Sequence, residues 1–113
     1  MFTVSEAWKS AYPGAAVGVL ALAKVANPKG HEALDEIKAG LEGQIRARYR
    51  SKEEVRSLER LQAYRAYYKR FRKTYHVQMQ LESVALKGKS IPSIAALVEA
   101  MFIAELKNQL LTA

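Results

Sequence analysis

The chain has 113 residues, half of them apolar, with 18 Lys/Arg against 11 Asp/Glu and no cysteine. That length leaves room for one domain with one modest core, and the apolar half excludes an intrinsically disordered chain. The missing cysteine excludes disulfides, thiol catalysis and cysteine-ligated zinc or iron–sulfur centres, and the net charge of +7 points to an anionic partner.

In chain order, Phe2-Thr3-Val4 is predicted as a short strand. Ser5 offers an N-cap hydroxyl to a brief helix over residues 6–11, which Tyr12-Pro13-Gly14 stops. Residues 15–25 are rich in Val, Leu and Ala and carry one charge, Lys24. That pattern predicts a strand buried on both faces. Asn27-Pro28-Lys29-Gly30 is a turn. His31 to Tyr49 is helical by period, because Leu34, Ile37, Leu41 and Ile45 form one stripe. Gly40 and Gly43 weaken it, and glycines in mid-helix often mark close approach of another backbone.

Ser51 with Glu54 three residues on is a capping-box pattern that starts the next helix. Val55, Leu58, Leu61, Tyr64, Tyr68, Phe71 and Tyr75 then keep helical spacing. Arg65, Lys69, Arg72 and His76 fall opposite them, so one helix carries an apolar-aromatic face and a cationic face. Residues 77–86 form another helix that ends at Lys87-Gly88-Lys89. Ser90-Ile91-Pro92-Ser93 opens a last helix to about Leu111, apolar nearly all round and therefore expected at the centre. The longest nearly apolar run, residues 91–104, is too short to span a bilayer. The first residues lack the basic start and apolar core of an export signal. The expectation is a cytoplasmic protein with no membrane contact.

The fold class expected is α+β, helix-rich with few strands, in one domain covering residues 1–113. Two strands alone are marginal in water, and an apolar edge invites aggregation. Either a second copy of the chain completes the sheet as a homo-oligomer, or the 113 residues are the first part of a larger domain. The uncapped ending Leu110-Leu111-Thr112-Ala113 favours the second option.

The charge is concentrated. Between Arg46 and Lys73 eleven Lys/Arg face three acids, an excess of eight against +7 for the whole chain. Tyr64, Tyr67, Tyr68, Phe71 and Tyr75 are threaded through the same stretch. Cations displace counterions from a polyphosphate, and aromatic faces stack on unpaired bases. Helical spacing assigns Tyr64, Tyr68, Phe71 and Tyr75 to the core. Tyr67 lies off that stripe and is the stacking candidate. The RNA-binding candidates are Arg46, Arg48, Arg50, Arg65, Tyr67, Lys69, Arg70, Arg72, Lys73 and His76.

The stretch "SVALKGKSIPSIAALVEAMFIAELKNQLLTA", residues 83–113, resembles the tRNA-binding editing domain of the phenylalanyl-tRNA synthetase beta chain, and more closely its free-standing bacterial relatives. The residues that carry the likeness are Gly88, Pro92, Ser93, Ile94, Val98, Glu99 and Leu106. "YYKRFRKTYHV", residues 67–77, and the opening "FTVSEAWKSAYPGAAVGVLAL" are similar to the same relatives. The resemblance implies the N-terminal part of that domain, and tRNA as the partner. Three of the family's pocket positions fall on Met101, Phe102 and Ala113, none of them polar. Such side chains neither orient water nor hold a hydroxyl, so the editing chemistry does not carry over.

Glu99 is the single charge in the 91–104 run and the candidate catalytic carboxylate. The bland reading, an ion pair with a lysine or arginine from another element, competes with it. Two histidines without an acidic cluster give no metal site, and no phosphate-cradling glycine loop is present. No cofactor is expected. The functional expectation is an RNA-binding module. The alternatives are a hydrolase acting in trans on aminoacyl-tRNA or an aminoacyl ester, and a non-catalytic small-molecule- or protein-binding module.

Overall fold

The computed structural model describes residues 2–112 and contains, among them, six helices and no strand. α1 is Glu6–Ala11, α2 Glu32–Arg48, α3 Lys52–Arg56, α4 Glu59–Lys69, α5 His76–Lys87 and α6 Ala96–Asn108. The expected α+β class is therefore corrected to all-α. Neither residues 2–4 nor residues 15–25 form a strand. The physical reason is pairing. β-propensity measures fit to a pleated, half-buried surface, and nothing among the described residues offers such a surface.

The helix starts follow the capping residues. Ser5 Oγ accepts from the Trp8 amide at 3.1 Å, and Ser51 Oγ accepts from Glu54 at 3.2 Å. The Glu54 carboxylate reaches back one residue further than in the usual box, to the Arg50 amide at 2.7 Å. His31 Nδ1 accepts from the Ala33 amide at 3.2 Å and caps α2. The C-terminus of α5 closes on Gly88, whose φ of 66° is left-handed, with the Lys89 amide donating to Ser83 O at 3.1 Å.

α5 is the hub. It packs against α2, α3 and α6. Leu41 and Ile45 from α2, Val55 from α3, Leu61 from α4, and Val77, Leu81 and Val84 from α5 form the core with Tyr49, Tyr75, Ile91 and Leu106. α6 is not the all-round buried helix its composition suggested. It begins five residues later than expected, at Ala96, and it buries both its acids, Glu99 and Glu105, while Leu97 and Met101 face solvent. A Cβ at Gly40 or Gly43 meets nothing within 4 Å, so these glycines mark no close approach.

The long basic-aromatic helix is also interrupted. α3 and α4 are separate, and α4 stops at Lys69. Arg72 adopts a left-handed φ of 55°. Its amide donates to Lys69 O at 3.0 Å and the Lys73 amide donates to Tyr68 O at 3.1 Å, the paired bonds of a Schellman turn. The break lets Tyr75 turn inward, fully buried and stacked on Tyr64 at 4.5 Å.

Residues 13–33 are exposed throughout. Three hydrogen bonds, one from Tyr12 at its start and two from within it, tie this arm to the helices. The Tyr12 and Tyr67 hydroxyls share a hydrogen bond of 3.2 Å. Asn27 Oδ1 accepts from the Leu97 amide at 2.9 Å, and Pro28 O accepts from Ala96 at 2.9 Å, so a segment far away in sequence caps α6. The radius of gyration is 16.0 Å, against about 13 Å for a compact chain of this length.

Candidate nucleic-acid interface

The breaks that ended the long helix create a groove. α3 ends at Arg56 with Ser57 as its C-cap, and Leu58 with ψ of 125° redirects the chain into α4. α4 presents Gln62, Arg65 and Lys69, spaced three and four, along the flank beside its packed face, and after the Schellman turn Lys73 joins the same lining. These three, with Arg56 of α3, line an open groove of about 710 Å³. Ser57, Gln62, Thr74 and Gln78 supply hydroxyls and amides to it, and Glu53 is the one acid in its lining.

Arg56 is partly neutralised by Glu82, at 3.3 Å. Arg65, Lys69 and Lys73 form no ion pair among the described residues. Three uncompensated cations around one concavity focus positive potential there, because the protein walls screen less than water does.

The structure brings only part of the expected set to this groove. Arg46 is committed elsewhere. Its Nε donates to Val84 O at 3.2 Å and its Nη2 to Lys89 O at 3.0 Å, so it closes the C-terminus of α5. Glu42 lies 3.7 Å from it. Arg48 stacks over the Tyr49 ring at 5.3 Å, and Arg50 Nε donates to Ala47 O at 3.4 Å. Arg70 sits over Tyr67 at 5.9 Å. Arg72 lies in the turn that interrupts the helix, outside the groove lining. His76 starts α5, with Nε2 at 3.6 Å from the buried Glu105 carboxylate.

Tyr67 is 39% exposed and packs edge-on against Phe71 at 5.3 Å. Phe71 was expected in the core. It is 54% exposed, because the turn after Lys69 carries it off the stripe. Together they form a small aromatic surface beside Arg70. The hydrogen bond to Tyr12, followed by desolvation, raises the Tyr67 phenol above its ordinary pKa.

Glu99 is fully buried, and Lys38 of α2 donates to its Oε1. Lys38 also donates to Ser93 Oγ at 2.8 Å and lies 3.3 Å from Asp35. The hydrogen bond to Glu99 raises the Lys38 pKa, against the opposing pull of burial, with Asp35 adding a smaller upward push. An ammonium so held is a donor, not a base. The Glu99 Oε2 has no partner. Met101 is 39% exposed and Phe102 packs against the core. Ala113 lies outside the described residues.

Sequence reasoning missed Ser57, Gln62, Thr74 and Gln78 as groove residues, and passed over Arg56. The signal for them was the helix break itself. Ser57 follows Arg56 where a continuous helix was read through, and without that break residues 56 and 73 belong to distant turns. No family model, curated protein or solved structure matches the chain. No helix among the described residues is long and apolar enough to cross a membrane.

Proposed function

We propose that the chain is an RNA-binding module that grips the phosphate backbone in the α3–α4–α5 groove. One observation carries this reading: Arg65, Lys69 and Lys73 converge on a single concavity without carboxylate partners. Arg56, Arg65, Lys69 and Lys73 against the single acid Glu53 make the lining locally positive, which is the electrostatic footprint of a phosphate-binding surface. Phosphate contacts give affinity with little sequence choice. Tyr67 and Phe71 lie outside the groove lining, against Tyr12 and Arg70, and are not part of this grip. A sequence likeness to the synthetase beta-chain editing domain suggests tRNA as the RNA class, although the all-α architecture does not share that domain's α+β fold, and the cytoplasm is the proposed place of action.

The test is a titration of bulk tRNA at several salt concentrations. Neutralising about four phosphates gives a slope of log affinity against log salt of about −3. Arg65→Glu/Lys69→Glu/Lys73→Glu flattens the slope and weakens binding by more than about tenfold. Affinity indifferent to salt, or full binding by the triple variant, removes the groove from the mechanism.

A further inference from the structure

We propose that the groove is built for a ribonucleotide and tells RNA from DNA through the side-chain amide of Gln78. This rests on the RNA-binding reading and specifies its ligand. Gln78 lines the groove yet is itself only 6% exposed. Its Nε2 donates to Glu82 Oε1 at 3.1 Å, and the same oxygen accepts from Arg56 Nε at 3.3 Å. A carboxylate only accepts. Glu82 therefore fixes which way the amide faces: nitrogen toward Glu82, oxygen away from it.

That oxygen is buried and has no hydrogen-bond partner. A buried polar atom left unpaired is a cost that native proteins rarely keep without reason. Its need is for a donor. Phosphate oxygens are acceptors, so the anion that Arg65, Lys69 and Lys73 attract does not meet that need. A ribose does. Each 2′-hydroxyl sits next to a backbone phosphate and both donates and accepts, and it is the group that DNA lacks. Because that oxygen has essentially no exposed surface, the Gln78 amide has to swing about its hydrogen bond to Glu82 as the ribose seats. The Arg56–Glu82–Gln78 chain thus couples a charged wall to a neutral acceptor on one floor. The Thr74 hydroxyl lines the same groove, while that of Ser57 already donates to Glu54 O at 2.8 Å.

The experiment compares two single-stranded 12-mers of one sequence, RNA and DNA, the latter with deoxyuridine so that only the 2′-hydroxyls differ. Each is titrated into the wild-type chain, Gln78→Met and Arg65→Glu/Lys69→Glu/Lys73→Glu. Wild type is expected to prefer RNA by about tenfold, the scale of one added neutral hydrogen bond. Gln78→Met is expected to bring the RNA/DNA ratio to about one. The ratio measured in one sample does not depend on the fraction folded, so a destabilised Gln78→Met still gives an answer. Equal RNA and DNA affinity in wild type overturns the inference, and so does a preference that survives Gln78→Met. In both cases loss of binding in the triple variant leaves the groove reading standing. Binding of neither oligomer overturns the RNA-binding reading itself.

Discussion

Replacing Lys38 with methionine isolates the buried ion pair. The lysine serves three acceptors, Glu99 Oε1, Ser93 Oγ and Asp35 Oδ1. The Asp35 side chain is 61% exposed and Ser93 is exposed, so water replaces the lysine at both. Glu99 has no such recourse. It is fully buried, and its second oxygen already lacks a partner. Removing one member of a buried pair costs about 3–5 kcal/mol, mostly the stranded charge. Two of three acceptors stay solvated here, which places the loss near the low end, about 3 kcal/mol. At about 4 °C per kcal/mol for a domain of this size, Tm falls by about 12 °C. Lys38→Met/Glu99→Leu recovers most of that loss, because apolar side chains of similar volume replace buried pairs at little cost. Thermal unfolding followed by the helical circular dichroism signal reads both variants.

The same assay against pH supplies the sign. A lysine whose folded pKa is raised contributes stability that is fully present below its unfolded value of about 10.4. That contribution is lost as pH rises through the folded value. Wild type therefore loses stability in the alkaline range, and Lys38→Met removes this component of the loss. A Lys38→Met cost under about 1 kcal/mol, the scale of an exposed pair, refutes the reasoning. So does a double variant no more stable than the single one.

Two further substitutions test the fold. Tyr75→Phe keeps the ring stacked on Tyr64 and deletes a buried hydroxyl without a partner, so unfolding free energy rises by about 1 kcal/mol in a denaturant titration. A fall of that size reveals a partner for the hydroxyl. Arg72→Gly relieves a left-handed residue and raises stability by about 1 kcal/mol, while tRNA affinity changes less than twofold, since Arg72 is outside the groove. A large loss of affinity moves the interface toward the turn.

The helix starts at Ser5 and Ser51 were legible because capping is local chemistry: one hydroxyl and one amide, three residues apart. The breadth of the basic cluster was legible as composition. Its partition was not. The spacing of Tyr64, Tyr68, Phe71 and Tyr75 fits one helix, yet the backbone turns at Arg72, a non-glycine residue that takes a left-handed φ without any sequence mark. That turn moves Phe71 out, Tyr75 in, and Lys73 beside Lys69. Residues 15–25 show the other failure. Their apolar, β-branched content reads as a buried strand, and propensity is silent on whether a pairing surface exists. Arg46 shows a third. A cation in a basic run is indistinguishable in sequence from one spent on backbone carbonyls 38–43 residues away.

The clasp of Asn27 and Pro28 on the first turn of α6 gives the exposed arm a mechanical reporter. Whenever the arm lifts, the Ala96 and Leu97 amides lose their acceptors and begin to trade protons with solvent. Their exchange rates gauge how often the arm and the start of α6 part company.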